Sequence, residues 1–325
     1  MMHHDPEQPQ DPARRSRVSA VITTYNYANF VADAIESVLC QTDPVDEIIV
    51  VDDGSTDNTR DVISSLNVPR LRYIWQQNQG AGGARNRGLS EASSEFIAYL
   101  DADDRWLPGK IEAQRTFLDS HPRIAMVTGG KWRLEVSSGD KKLEPFRPRS
   151  RSRFLDDLYI HNHAGNPSMA MVRKDVAAEL GGFNTDLRWG QDWDFFIRLI
   201  QRHGFAVMNE PVIVYRWHRE NLTHQRRWER ADVLFSISQR SIHEYAGPLR
   251  RPWLLARASS QRDAEKGEFA LSKGSRSTAL RLAAKSFASY PFERTRTKLS
   301  LLTKAMIGPS NYRALRRRFS GRGAS

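Results

Sequence analysis

The chain has 325 residues, 39% hydrophobic and 27% charged, with a formal net charge of +11 and one cysteine, Cys40. That length buries a sizeable core and suits one large domain with an addition or two domains, while a lone cysteine excludes an internal disulfide and any cysteine-built metal site. No stretch approaches the roughly 18 consecutive apolar residues of a membrane helix, and the positive charge points to an anionic partner: nucleic acid, a phospholipid surface or an acidic substrate.

Residues 1–17 are polar and proline-containing without an apolar segment, and read as a disordered leader rather than a signal peptide. From Val18 the pattern alternates: VSAVITTYN as a strand, a helix around 29–40, DEIIVVDD as a strand, a helix after Ser55, then LRYIWQ. Phe30, Ala34, Ile35, Val38 and Leu39 fall along one helical face, as a helix crossing over a sheet requires. A glycine-rich turn and helix (QGAGGARNRGLSEA), the strand EFIAYL and a helix entered at Pro108 continue the rhythm. An α/β layered fold with a mostly parallel sheet follows. Residues 137–153 read as a surface excursion, MAMVRK and VIVYRWH as strands, Gly181-Gly182 as a turn and Gln191 to about Gln201 as a helix. Beyond about Arg226 strand patterns give way to basic helical ones, so the expected organisation is a catalytic span of 18–225 and a basic helical region of 226–325.

Two acidic segments, VVDDGSTD and YLDADD, end strands, and ligands of such sheets sit beyond the carboxyl ends of the strands. Carboxylates crowded there repel one another, a conflict that a hard divalent cation sharing substrate phosphate oxygens resolves. Alternation along an extended segment would let Asp101 and Asp103 share a face while Asp104 points elsewhere, which makes Asp103 the candidate metal ligand. An acidic run before a helix is also a plain N-cap. Asp53 at a turn can accept from a nucleobase N–H, although Asp52-Asp53-Gly54 is equally a simple turn with Ser55 or Asp57 capping the next helix. The Gly80–Gly88 stretch has neither the P-loop nor the GxGxxG spacing, but Arg85 or Arg87 can balance diphosphate charge. Trp193, Phe196, Ile197 and Ile200 form a core stripe, and Asp192 on the first turn is either a general base or a favourable N-terminal charge.

These segments, VSAVITTYNYANFVADAIESVLCQT, VDDGSTDNT, NQGAGGARNRGL, FIAYLDADD and the later acidic helix start, resemble in order and spacing the family 2 glycosyltransferases of the GT-A fold, over about residues 18–220. The resemblance implies an inverting transferase that moves a sugar from a nucleoside-diphosphate donor, UDP-linked by preference, to a glycan or lipid-linked acceptor, as in cell-envelope polysaccharide synthesis. It implies that Thr23 and Tyr25 line the base pocket, that Asp53 bonds the base, that Arg85 lies near the donor and that Asp101 with Asp103 forms the DxD-like pair for Mn²⁺ or Mg²⁺. Asp192 matches the family's base. The preceding residue is Gln191 where the family commonly has Glu, and Gln191 with Asn166 falls on the acceptor side. In YRWHRENLT, His218 is a further candidate near the metal, and Asn221-Leu222-Thr223 is a coincidental sequon. Two alternatives stand beside this reading. A sugar-phosphate nucleotidyltransferase would need an N-terminal phosphate loop that TTYNYANF does not offer, and a non-catalytic anionic-surface binder would rely on the basic tail. No nucleic-acid motif is present. A cytoplasmic protein, peripheral on the inner face of the membrane, is the expected setting.

Overall fold

The structure is a computed structural model and describes residues 15–146, 150–218, 221, 228–292 and 295–312, with the side chains of Arg151 and Arg296 left aside. Most of the expected leader, Leu222 and Thr223 of the sequon and the basic end from residue 313 lie outside the described residues. These residues divide between two compact units, one drawn from Met1–Pro148, Gly165–Thr185 and Arg198–Trp217, the other from Arg149–Ala164, Asp186–Ile197 and His218–Ser325.

The first unit holds the sheet. In chain order come β1 (Val18–Thr24), α1 (Ala28–Leu39), β2 (Glu47–Asp52), α2 (Thr59–Ser65), β3 (Leu71–Trp75), α3 (Gly80–Glu91), β4 (Phe96–Asp101), β5 (Arg105–Trp106), α4 (Lys110–Ser120), β6 (Ile124–Glu135) and β7 (Lys141–Glu144). After the excursion into the second unit follow β8 (Met171–Arg173), α6 (Lys174–Glu179) and β9 (Gly204–Trp217). The strand order is β3-β2-β1-β4-β8-β6-β9-β5, with β7 paired to β6. β1 lies parallel to β2 on one side and to β4 on the other. All seven of its residues are buried, which is why it reads as a continuous apolar run. This is the expected mixed, mostly parallel GT-A-type sheet flanked by helices.

The chain leaves β1 toward β2 and β3, then returns through α3 to β4 on the other side of β1. That reversal opens a crevice at the strand ends. Register places Thr23 beside Asp101 and Thr24 beside Asp52 there. Gly88 lets α3 approach closely, because a Cβ would come within 2.2 Å of Val21.

Two features differ from expectation. The strand read at VIVYRWH is the second half of a 14-residue β9, which runs parallel to β6 with register shifts around Gly130. The excursion at 137–153 contains β7, an exposed edge strand hairpinned onto β6, and the start of α5 (Arg151–Leu158).

The second unit is helical: α5, the beginning of α7 (Gln191–Arg202), α8 (Trp228–Tyr245), α9 (Arg251–Ser272), α10 (Arg276–Ser289) and α11 (Thr295–Ile307). The expected helical C-terminal region is present as α8 to α11. No helix among the described residues is long and apolar enough to cross a membrane.

Candidate active site

The loops after β1 and β2 are knitted together by side chains. Asn26, at a φ of 55°, accepts from the Thr56 and Asp57 amides through Oδ1 at 2.7 and 3.3 Å, and its own amide donates to Ser55 Oγ at 2.9 Å. Asp57 accepts from the first amides of both α1 and α2, Ala28 at 3.2 Å and Thr59 at 3.1 Å. Asp52 accepts from the Ser55 amide and the Tyr73 hydroxyl. Of the adjacent aspartates Asp52 is therefore a structural brace. Asp53 is turned the other way, its Oδ1 accepting from Gln76 Nε2 at 2.7 Å and the Gln79 amide at 2.9 Å. Burial raises the Asp53 pKa despite those bonds, and neighbouring Asp52 adds to the rise. Gly54 completes the turn at φ +85°, where a Cβ would lie 3.0 Å from the Asn78 amide.

At the end of β4 the strand stops at Asp101, and Ala102 to Asp104 form a turn closed by an Asp104 amide bond to the Asp101 carbonyl at 2.9 Å. Strand alternation consequently does not orient Asp103. Asp101 Oδ1 accepts from Arg85 at 2.6 Å and from the Thr23 hydroxyl at 3.3 Å. Arg85 is buried, lies over the Phe183 ring and carries the compensating charge. Asp104 is buried beneath the turn, where it accepts from Asn166 Nδ2 at 3.0 Å and the Arg216 amide at 3.3 Å. Burial, then repulsion from Asp103 and Asp101, lifts its pKa well above the carboxylate range. Tyr25 is about half exposed beyond the end of β1.

The structure thus brings together Thr23, Arg85, Asp101, Asp103 and Asn166 around one turn, with Asp53 at the end of β2, the strand next to β1. Asn166, expected on the acceptor side, is engaged by Asp104. The turn supplies hard oxygen donors only, and among the described residues no three His, Cys, Asp or Glu side chains are grouped to hold an ion. One or two carboxylates with the remaining positions left to diphosphate oxygens is the usual arrangement for Mg²⁺ or Mn²⁺, so the donor set fits such an ion.

In the second unit, Asp192 lies on the first turn of α7, and its Oδ2 accepts from Asn162 Nδ2 at 3.0 Å. Trp193 Nε1 donates to the Leu158 carbonyl at 2.6 Å, and Gln191 is buried at the helix start. His218 is buried, with Nε2 3.0 Å from Asn221 Nδ2 and its amide donating to Asn221 Oδ1 at 2.7 Å. The sequon asparagine thereby orients this ring.

Sequence reasoning missed Ser168, which accepts from the Asp101 amide, as well as Asn162, Gln76 and Arg216.

Comparison with known proteins decides the family. The profile of glycosyl transferase family 2 matches residues 19–181, half of the chain. A putative teichuronic acid biosynthesis glycosyltransferase of Bacillus subtilis is 30% identical over 66% of this chain and 84% of its own length. The chain belongs to glycosyl transferase family 2. An uncharacterized glycosyltransferase of a Nostoc species is 50% identical, but over 30% of this chain and only 31% of its own length. Among solved structures, S. aureus TarS 1-349 in complex with UDP-GlcNAc matches with a TM-score of 0.62 at 18% identity, over 94% of this chain and 92% of that one. The mannosyltransferase PcManGT of Pyrobaculum calidifontis, in complex with GDP-Man and Mn²⁺, matches with a TM-score of 0.55 at 22% identity, over 91% and 88%. At those identities the likeness concerns the fold, and it is the GT-A-type fold already described. The family assignment sets aside the nucleotidyltransferase and non-catalytic alternatives.

Proposed function

We propose that this transferase moves a sugar from a UDP-linked donor to a hydroxyl of a glycan or lipid-linked acceptor, with inversion at the anomeric carbon. The observation that carries the reading is the Thr23–Asp101–Arg85 cluster beside Asp103 at the crevice between β1 and β4. Asp53, oriented by Gln76 and Gln79, accepts from the base N–H, and Tyr25 flanks the base. Arg85 and Asp101 face the ribose and diphosphate. Asp103, assisted by Asp101 and with His218 as a further candidate, would hold Mn²⁺ or Mg²⁺, which when bound stabilises negative charge on the departing diphosphate. Asp192 takes the acceptor hydroxyl proton while that oxygen bonds to the anomeric carbon and the bond to the diphosphate oxygen breaks. Asn162 holds the Asp192 carboxylate, and Gln191 and Asn166 belong to the acceptor side. The TarS complex supports UDP as the nucleotide, and the PcManGT complex supports a divalent ion. The name of the Bacillus relative, a putative teichuronic acid biosynthesis glycosyltransferase, supports an envelope polysaccharide as the product, and the net charge of +11 supports work at the inner, anionic face of the membrane.

Donor turnover with Mn²⁺, measured across UDP-, GDP- and dTDP-sugars, tests this reading. A UDP-sugar should be preferred, and Asp103→Ala should lower turnover roughly 10²- to 10³-fold with an unchanged circular dichroism spectrum. Turnover that survives Asp103→Ala rejects the site.

A further inference from the structure

The Ala102–Asp104 turn has a difficulty that its own residues do not solve. β4 ends at Asp101, so the carbonyls of Ala102, Asp103 and Asp104 have left the sheet ladder, although Ala102 and Asp104 are buried. Buried carbonyls need donors. A single side chain from β9 supplies them. Arg216 Nε donates to the Asp103 carbonyl at 2.6 Å, and its Nη2 lies 3.1 Å from the Ala102 carbonyl and 3.4 Å from that of Asp104. The same Nη2 donates to the Phe30 carbonyl of α1 at 3.1 Å, and Nη1 donates to Asp33 Oδ2 at 2.7 Å. The guanidinium lies over the Phe30 ring, 4.8 Å from its centroid, and the residue is 5% exposed. The Arg216 main-chain amide meets Asp104 Oδ1 as well.

We propose that Arg216 is a positioning residue, whose buried guanidinium grips the main chain of the Ala102–Asp104 turn and so sets the direction of the Asp103 carboxylate. This rests on the reading of Asp103 as the residue that meets the ion and diphosphate. The geometry calls for arginine: a planar fork of five N–H groups can serve several convergent carbonyls and a carboxylate together, whereas a lysine offers one ammonium. The shortest of these bonds falls on the Asp103 peptide itself. Rotation of that peptide swings the Asp103 side chain, and displacements of about 1 Å at such sites cost on the order of 100-fold in rate.

The test uses the full chain and Arg216→Lys, with three readouts: melting temperature, UDP affinity by calorimetry with EDTA and with Mn²⁺, and steady-state kinetics. The proposal expects a lowered melting temperature, because lysine leaves buried carbonyls of the turn unserved, with a two-state fold retained and UDP affinity unchanged in EDTA. The gain in affinity brought by Mn²⁺ should fall about tenfold, and kcat/KM roughly 10- to 100-fold. In an Asp103→Ala background Arg216→Lys should leave the Mn²⁺ gain where Asp103→Ala alone puts it, since coupled residues are non-additive. Should Arg216→Lys fail to fold, Asp33→Ala removes the Nη1 partner while leaving the fork, and should produce a smaller loss confined to the Mn²⁺ gain. Equal losses with and without Mn²⁺, an untouched Mn²⁺ gain, or additive effects with Asp103→Ala overturn the clamp. A wild-type chain whose UDP affinity ignores Mn²⁺ overturns the Asp103 reading, and the clamp with it; a wild-type gain that Asp103→Ala abolishes but Arg216→Lys spares overturns the clamp alone.

Discussion

The two units bury charge differently. In the sheet unit, several buried cations serve carbonyls, rings or site carboxylates, beside ion pairs such as Arg115–Asp43: Arg216 grips a turn, Arg85 meets Asp101, and Lys110 lies against Gln114 and the Trp106 ring. In the helical unit three arginines meet aspartates of other helices. Arg257 of α9 meets Asp157 of α5 at 2.6 Å, Arg250 at the start of α9 meets Asp156, and Arg240 of α8 meets Asp194 of α7. The first pattern shapes a donor-facing turn. The second joins the segments around Asp192 to the C-terminal helices, which gives those helices a structural task within the unit that carries the proposed base.

The largest expected effect separates the two units by function. Asp192→Asn should lower kcat by about 10²- to 10⁴-fold, the usual contribution of a general base, while UDP affinity stays at the wild-type value because the donor residues lie in the other unit. Pre-steady-state transfer and calorimetry read the two quantities independently. A collapse of UDP affinity in Asp192→Asn would dissolve the division of labour.

Next in size is a stability effect that sharpens the contrast. Both members of the Arg257–Asp157 pair are buried, with side chains 7% and 11% exposed. Arg257→Met leaves a buried carboxylate without its cation and should destabilise by roughly 3–5 kcal/mol in denaturant titration. Asp156 is buried as well, at 8%, but half of the Arg250 side chain is exposed, at 50%, so water screens that pair and Arg250→Ala should cost less, about 1–2 kcal/mol. Equal effects of the two substitutions would mean that burial does not govern these pairs.

The sheet unit was legible where local pattern and tertiary role coincide. β1, β2 and β4 are buried on both faces and read as apolar runs, and the acidic segments sit at their ends because that is where the crevice opens. β6 was not legible: its apolar start gives way at Gly129-Gly130 to KWRLE, a half-exposed stretch whose strand character comes from pairing with β9. α5 was hidden for a related reason. RSRFLDDL is polar in sequence, yet Phe154 and Leu158 are buried and its two aspartates find arginines nearly a hundred residues later. Arg216 escaped because its function lies in carbonyls, which leave no trace in side-chain pattern.

A pH-dependent effect concerns a buried cation of the sheet unit, Lys110, whose hydrogen-bond partners Gln114 and the Ala170 carbonyl include neither a carboxylate nor the turn. Lys110 is buried, and desolvation lowers its pKa from the ordinary lysine value to about 7. Below pH 7 the ammonium is charged in both states, and the penalty of burying it is fully present. Between about 7 and roughly 10.4, the unfolded value, the unfolded chain binds a proton that the native protein has released. Stability then rises with pH, because the unfolded state binds more protons, by at most about 1.4 kcal/mol per pH unit. Lys110→Met should remove this slope and raise stability most at pH 6, with the advantage over wild type shrinking toward pH 10. Chemical denaturation of both proteins from pH 6 to 10 reads the difference directly. A slope that persists in Lys110→Met would assign the titration to another group.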